Sequence, residues 1–218
     1  MSAAQLLLEI VLFGVTLWLG LYLIARDVGR LQLWLTGLGL VAFAVSVALE
    51  TLGAFAPSIR LALELVRWQR LFVLLPPFFW LGALIWLIPN YATWTDRLKR
   101  QRPILIALIA AILVYALAIA AVTLLNNRQP ALWLSVLIGL DMVVLGTAVT
   151  MLDASDKGEV WLPHLFRSLD YAFFTAVLFG GQVALVMALF TGVSFPLVAL
   201  LLSTVAAAVA IQAFADPV

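Results

Sequence analysis

The stretch "VRWQRLFVLLPPFFWLGALIWLIPNY", from Val66 to Tyr91, places two arginines and two adjacent prolines in an otherwise largely apolar sequence. An uninterrupted helix disfavours Pro76 and Pro77, because each proline lacks the backbone N–H that a helix needs. The carbonyls near Phe72 and Val73 therefore lose their usual partners. A bilayer tolerates such carbonyls only where neighbouring helices or a cavity satisfy them. The stretch predicts a kinked membrane helix that faces the interior of a helical bundle.

The composition of the whole chain supports a membrane protein. Of its 218 residues, 66% are hydrophobic and 11% are charged, which is more apolar surface than a water-soluble domain can bury. The chain has no cysteine, which excludes disulfides, thiolate metal sites and iron–sulfur clusters. The single histidine, His164, excludes paired-histidine haem ligation by this chain alone. The first residues lack the basic region of a cleaved signal peptide, so we expect a first span that is retained.

Charges and turn residues divide the chain into membrane-spanning lengths of roughly 20 residues. No charged residue occurs in the 45 positions from Tyr171 to Ala215, so two helices are expected there, joined by a turn at Thr191 to Pro196. The predicted fold class is all-α: a single polytopic membrane domain formed by a seven-transmembrane-helix bundle. The predicted spans are residues 6–25, 31–56, 71–90, 104–125, 131–152, 171–190 and 196–215.

Basic residues in the loops predict the orientation, because cytoplasmic loops carry an excess of lysine and arginine. An extracellular N-terminus leaves eight basic residues in the inner loops and four in the outer loops. The inner residues are Arg26, Arg30, Arg97, Lys99, Arg100, Arg102, Lys157 and Arg167, and the outer ones are Arg60, Arg67, Arg70 and Arg128. This asymmetry favours an N-terminus outside and a cytoplasmic C-terminus.

Polar residues inside the predicted spans are the candidates for function, because burying them in hydrocarbon is costly. Arg67 and Arg70 lie three apart on one helical face, at the same end of the bundle as Glu50 and Glu9. We expect these four to line a pocket; the alternative is a set of interfacial charges that pair with one another or with water. The candidate ligand-binding residues are Glu50, Arg67, Arg70, Trp80, Tyr115, Asp141 and Gln182.

Asp141 is the deepest of these ionisable residues. No lysine or arginine lies at a comparable depth in another span, so we expect a neutral carboxyl that faces the bundle interior. Its expected polar neighbour is Tyr115, Gln182 or a buried water. An alternative role for Asp141 is a hydrogen-bonded clamp between helices, and Tyr115 and Gln182 can equally serve helix packing.

Several chemistries have no support in the sequence. The only lysines, Lys99 and Lys157, lie in predicted loops, so a retinal Schiff base in the last span is excluded. No phosphate-binding loop, metal-ligand cluster or nucleophile–base pair is recognisable. We therefore expect no enzymatic activity, no cofactor and no nucleic-acid partner for this chain.

Two segments carry a family resemblance. "LVRWQRLFVLLPPFFWLGALIWL" resembles the third span of the seven-helix N-terminal regions of bacterial membrane sensor proteins, including histidine kinases. "DKGEVWLPHLFRSLDYAFFTAVLFGGQVALVMAL" is similar to the fifth loop and sixth span of the same family, especially in filamentous phototrophic bacteria. The resemblance covers essentially the whole chain in order and span count.

The resemblance implies a sensory or signal-coupling domain of a two-component system in the bacterial cytoplasmic (inner) membrane. Such a domain normally precedes a cytoplasmic kinase, cyclase or other output domain, which would lie beyond residue 218. The expected partners are the lipid bilayer, a small or lipophilic ligand, and a cytoplasmic signalling domain or other membrane subunits. The alternative is a non-catalytic accessory subunit of a respiratory or photosynthetic complex. A transporter is less favoured, because spans one to three and five to seven show no convincing similarity.

The predicted orientation can be tested with a reporter that fluoresces only in the cytoplasm. Fused after Val218, this reporter should be bright, because the basic asymmetry places the C-terminus inside. A fusion that is fully translated but dark would overturn the orientation.

Overall fold

The computed structural model describes residues 3–27, 29–91, 106, 108–120, 132–157, 161–187, 189 and 192–215. These residues form seven helices, and no strand occurs among them. The helices are α1 (Ala3–Arg26), α2 (Leu31–Ala54), α3 (Ile59–Tyr91), α4 (Leu108–Ala120), α5 (Leu132–Lys157), α6 (Trp161–Val186) and α7 (Phe195–Ala215).

Five of these helices are long and apolar enough to cross a membrane. They are α1, α2, α3, α6 and α7, whereas the apolar helical stretches Leu108–Ala120 and Leu137–Met151 are shorter. The chain is therefore an all-helical protein with the character of a multi-pass membrane protein. Parts of the predicted fourth, fifth and sixth spans lie outside the described residues, and so do Arg97, Lys99, Arg100, Arg102 and Arg128.

Two helices begin well before the predicted spans. The third span is predicted to begin at residue 71, but α3 already begins at Ile59. The sixth span is predicted from residue 171, and α6 begins at Trp161. In both cases the charged residues led to the prediction of a loop. Arginine and glutamate are good helix formers, however, and they continue the helix beyond its apolar segment. In the predicted turn between the last two helices, residues 192–194 are non-helical and Gly192 adopts a positive φ of 69°, but α7 already begins at Phe195.

Helices α1 and α2 are central to the bundle: α1 contacts α2, α5, α6 and α7, and α2 contacts α1, α3, α5 and α7. Helix α3 packs on the far side of α2 and has no extensive contact with α6 or α7 in the described part of the chain. Burial follows this arrangement. Within the most apolar 18-residue segment of each helix, 56% of the segment is buried in α1 and in α2, against 17% in α3 and 11% in α6. Many large apolar side chains are exposed along α3 and α6, as a lipid environment requires, and charged residues are exposed in the first half of each helix.

Glycines set the close approach of α1 to α2. A Cβ atom on Gly37 would lie 2.6 Å from the carbonyl oxygen of Gly20, and one on Gly20 would lie 2.9 Å from the carbonyl oxygen of Gly37. Any side chain at this crossing would force the two backbones apart. Small residues allow such contacts between membrane helices, where van der Waals packing drives association.

We expect Gly37→Ala to lower the free energy of unfolding by about 1–3 kcal/mol, because its methyl group must displace the backbone of Gly20. The matched control is Gly181→Ala on α6, where an added Cβ meets no atom within 4 Å. Both variants gain the same helix propensity, so the difference between their free energies of unfolding reports the close contact of α1 with α2 alone. Thermal unfolding in detergent measures both, and equal midpoints would show that the crossing does not determine stability.

Candidate intramembrane site

The carbonyl that Pro77 deprives of its helix partner is satisfied from a different helix. Pro77 has no N–H to donate to the carbonyl of Val73, four residues earlier. The hydroxyl of Tyr115, on α4, donates to that carbonyl at an O···O distance of 3.0 Å. Helix α3 runs through both prolines without a break, and Tyr115 is only 1% exposed. Tyr115 therefore joins α4 to α3 at a turn where α3 has lost a hydrogen bond of its own.

Three aromatic rings surround this contact. The rings of Trp80 and Tyr115 lie edge to face with centroids 5.1 Å apart, and those of Phe43 and Tyr115 do so at 5.9 Å. The indole N–H of Trp80 donates to the carbonyl of Thr36, on α2, at 3.4 Å. Gly39 makes room for this indole, because any Cβ there would overlap the ring. The cluster of Phe43, Trp80 and Tyr115, here called the aromatic cluster, connects α2, α3 and α4.

Asp141 lies near the aromatic cluster but does not hydrogen-bond to it. Its charge and the hydroxyl of Tyr115 are close enough to interact electrostatically. Its Oδ2 atom is buried, however, and has no hydrogen-bond partner within the described part of the chain. Tyr115 is thus a neighbour of Asp141, as predicted, but its hydroxyl donates its hydrogen bond to the carbonyl of Val73.

Helix contacts establish the depth of Asp141. A Cβ on Gly139 would meet Leu12, and a Cβ on Gly146 would meet Leu19, so α5 runs parallel to α1 with Asp141 level with Gly14. Gly14 lies five residues beyond Glu9, and five residues of helix rise about 7 Å. Asp141 is therefore about one and a half turns deeper in the bundle than the carboxyl of Glu9.

Glu9 belongs to a second polar cluster, near the start of α1. It is 8% exposed, accepts a hydrogen bond from the hydroxyl of Thr51 at 2.8 Å and receives a longer one of 3.4 Å from Gln5. The half-buried carboxyl of Glu50 is close enough to Glu9 for their charges to repel. The structure therefore brings two carboxyls together between α1 and α2, with a threonine hydroxyl as the link between the helices.

The predicted approach of Arg67 and Arg70 to these carboxyls is not found. Both arginines are exposed on α3, and neither forms an ion pair with Glu9 or Glu50 among the residues described. The reason is helix rotation. Leu65 faces α2, where it lies 3.9 Å from a Cβ on Gly53. At about 100° per residue, Arg67 and Arg70 are turned roughly 200° and 140° away from Leu65.

The remaining candidates are separate from the aromatic cluster. Gln182 is exposed on α6, and α6 has no extensive contact with α3 among the described residues. No hydrogen bond joins Gln182 to Asp141 within the described part of the chain. His164 lies in the first turn of α6. The structure thus brings together Trp80, Tyr115 and Asp141, and separately Glu9 and Glu50.

A polar ladder on α1 was absent from the sequence-based candidates. The indole N–H of Trp18 donates to the hydroxyl of Ser168 on α6 at 3.1 Å, and the rings of Trp18 and Tyr22 stack at 5.7 Å. The guanidinium of Arg26 donates to the hydroxyl of Tyr22 at 3.2 Å, and Arg26 is only 7% exposed. Trp18, Tyr22 and Arg26 recur every four residues, a helical spacing that would have revealed this face in the sequence.

Comparison with known proteins gave no matching family model, no matching curated protein and no matching solved structure.

The contact between Tyr115 and Val73 can be isolated by a double-mutant cycle. Tyr115→Phe removes one hydroxyl and leaves a buried carbonyl unpaired, so we expect a loss of about 1–3 kcal/mol in the free energy of unfolding. Pro77→Ala restores the missing backbone N–H, which can donate to Val73. In the Pro77→Ala background, Tyr115→Phe should therefore lower the free energy of unfolding by a smaller amount.

The expected coupling energy between the two sites is about 0.5–2 kcal/mol, the range for residues that share a partner. Unfolding in a mixed-detergent series measures all four proteins of the cycle. Tyr115→Phe effects that are equal with proline and with alanine at position 77 would show that the hydroxyl does not replace the amide lost at Pro77.

Proposed function

We propose that this chain is a membrane-embedded sensory or signal-coupling domain. In it, a ligand or a change in the lipid shifts α3, and the shift passes to a cytoplasmic partner or output domain. The observation that carries this proposal is the hydrogen bond from Tyr115 to Val73. In it, a single side chain from α4 satisfies the carbonyl that the proline pair of α3 leaves without its helix partner. A helix restrained in this way has a defined point at which it can be released.

The packing of α3 also supports this role. In the described part of the chain its extensive packing is on α2, while most of its surface faces outward. A movement of α3 therefore costs less buried contact than a movement of α1 or α2. Elements that move in signalling are drawn from the less tightly packed parts of a structure.

The route of coupling differs from the one that the sequence suggested. A direct shift of α3 against the last two helices has no contact to carry it, because α3 has no extensive contact with α6 or α7 among the described residues. Helix α2 contacts α1, and α1 contacts α5, α6 and α7. The proposed route therefore runs from α3 to α2, which itself contacts α5 and α7, and reaches α6 through α1.

The resemblance of the third and sixth helices to bacterial seven-helix sensor regions points the same way. On that basis the chain belongs in a bacterial cytoplasmic membrane, with its C-terminus on the cytoplasmic side. A ligand is expected to act at the level of Trp80, Tyr115 and Asp141, since Tyr115 packs against Trp80 and lies near Asp141.

An accessory subunit of a larger membrane complex is the second candidate. The observation that favours it is the broad apolar face of α6, where Phe173 and Phe174 are 59% and 71% exposed. Purification in a mild detergent separates the two functions. Stoichiometric partner subunits would support the accessory role, whereas an isolated monomer or dimer would count against it.

Release of α3 can be measured by distances between spin labels, since the chain has no native cysteine. The label pair is Ile85→Cys on α3 and Ile211→Cys on α7, both of which are exposed. In a Tyr115→Phe background we expect the distance distribution to broaden or shift, because the hydrogen bond to Val73 is lost.

The control pair is Leu31→Cys on α2 with Ile211→Cys, which should keep its distribution in the same background. Leu31 is exposed as well, and α2 packs against both α1 and α7. If Tyr115→Phe leaves the pair on α3 and α7 unchanged, Tyr115 does not restrain α3 and the proposed coupling fails. A change in both pairs would indicate general loosening and would also contradict the proposal.

A further inference from the structure

An open cleft of about 460 Å³ lies along the first turns of α3. Its lining combines charged, polar and apolar side chains: Ser58, Arg60, Leu61, Glu64, Leu65 and Trp68. More than three turns of α3 separate Trp68 from Trp80, so this surface, here called the α3 cleft, is distinct from the aromatic cluster. A molecule that fits the α3 cleft must itself have both polar and apolar parts.

The polar groups of the α3 cleft have hydrogen-bonding capacity left for a ligand. Arg60 and Glu64 are exposed, and they form no ion pair with each other or with another described residue, although their spacing of four would allow one. Trp68 is 53% exposed, and its indole N–H has no acceptor in the same part of the chain. The α3 cleft therefore offers a guanidinium and an indole as donors, and one carboxylate as an acceptor.

The α3 cleft lies at the level where lipid headgroups meet hydrocarbon. Leu65 lies opposite Gly53, and α2 ends at the next residue, Ala54, so the turns of α3 before Leu65 extend past the end of α2. From Leu71 to Ile85, α3 carries no charged residue. Tryptophan is enriched at the boundary between membrane and water, where its ring meets the headgroups. The charged end of α3 therefore faces headgroups, and the rest of the helix faces acyl chains.

Exposed apolar side chains continue the α3 cleft toward the centre of the bilayer. Leu71, Leu74 and Phe78 are 49%, 52% and 70% exposed, and their spacings of three and four place them on one face of α3. Glu64 lies two turns before Leu71 on the same face. An acyl chain that leaves the α3 cleft can therefore run along this face. The arrangement fits a phospholipid better than it fits a water-soluble molecule.

The two charges of the α3 cleft select among phospholipids. The guanidinium of Arg60 can bind the phosphate, which every phospholipid supplies, through charged hydrogen bonds. The carboxylate of Glu64 repels a headgroup that has only negative charge, and it needs a cation that can donate a hydrogen bond. A headgroup that contains both a phosphate and a primary ammonium meets both requirements.

We propose that the α3 cleft is a binding site for phosphatidylethanolamine. The phosphate binds Arg60 and the indole N–H of Trp68, the ammonium donates to Glu64, and one acyl chain packs along the apolar face that begins at Leu71. This inference goes beyond the proposed function, because lipid binding in the α3 cleft does not require that α3 transmits a signal.

Three phospholipids with the same acyl chains test the chemistry with the whole chain. Phosphatidylethanolamine has both charges and ammonium N–H groups, phosphatidylcholine keeps both charges but has no N–H, and phosphatidylglycerol has no cation. Each is titrated into the protein in a mild detergent, and native mass spectrometry counts the bound lipids and gives the dissociation constant of the first. We expect phosphatidylethanolamine to bind at least about fivefold more tightly than either analogue, because only it makes a charged hydrogen bond to Glu64.

Substitutions locate the site. Glu64→Gln keeps the size of the side chain but removes its charge, so we expect the preference for phosphatidylethanolamine over phosphatidylcholine to fall to about twofold or less. Arg60→Gln should weaken the binding of both lipids at least about threefold and keep the preference, since both contain the phosphate. The control is Asp170→Asn, which removes an exposed carboxylate from α6 and should bind all three lipids as the wild type does. Gel filtration and circular dichroism check the fold of each variant.

The contrary results are specific. Equal affinities of the wild type for the three lipids would show adventitious lipid contact only, and tightest binding of phosphatidylglycerol would show a site that recognises negative charge alone. A preference for phosphatidylethanolamine that survives Glu64→Gln would place its binding elsewhere on the protein. Each of these outcomes overturns the proposed site. If Glu64→Gln does not fold, the comparison of the three lipids in the wild type, together with Arg60→Gln, still decides.

Discussion

The structure depends on a requirement of the bilayer: a backbone carbonyl in hydrocarbon needs a hydrogen-bond donor, and water is absent. In most helices the backbone meets this requirement itself. At Val73 it does not, because Pro77 has no N–H, and the donor is the hydroxyl of Tyr115 from a helix more than forty residues away in sequence. The two prolines thus convert a local backbone interaction into a tertiary one. The position of α4 relative to α3 becomes part of what makes α3 a stable helix.

The other side of the bundle is organised by close backbone contact. Gly20 and Gly37 bring α1 and α2 together, and Gly139 and Gly146 receive leucine side chains from α1. Such contacts resist movement, since any shift of the helices separates well-packed surfaces. The contact of α3 with α4 through Tyr115 is more local. The molecule therefore combines closely packed central helices with a peripheral helix, α3, that packs along α2 and is joined to α4 through Tyr115.

The sequence predicted those features that follow from chemistry along the chain. Composition indicated a membrane protein, the proline spacing identified Val73 as a carbonyl without its partner, and charge-free length indicated two helices after Tyr171. The sequence did not predict how the helices are rotated about their axes. Arg67 and Arg70 share a face, as the spacing requires, but Leu65 is the residue turned toward α2, so the arginines point elsewhere. The exposure of Gln182 was not predicted for the same reason, because composition cannot indicate which side of a fully apolar helix meets its neighbours.

In the proposed sensory role, the polar groups along α1 would allow this helix to relay a change. Glu9 contacts α2 through Thr51, whereas Trp18, nine residues later, contacts α6 through Ser168. Tyr22 and Arg26 continue the same face to the end of the helix. Hydrogen bonds in hydrocarbon are directional and have few competing partners, so they fix the rotation of α1 more tightly than apolar packing does. A tilt of α2 that moves Thr51 would therefore act on the rotation of α1 and on the contact with α6, and not only on the spacing between helices.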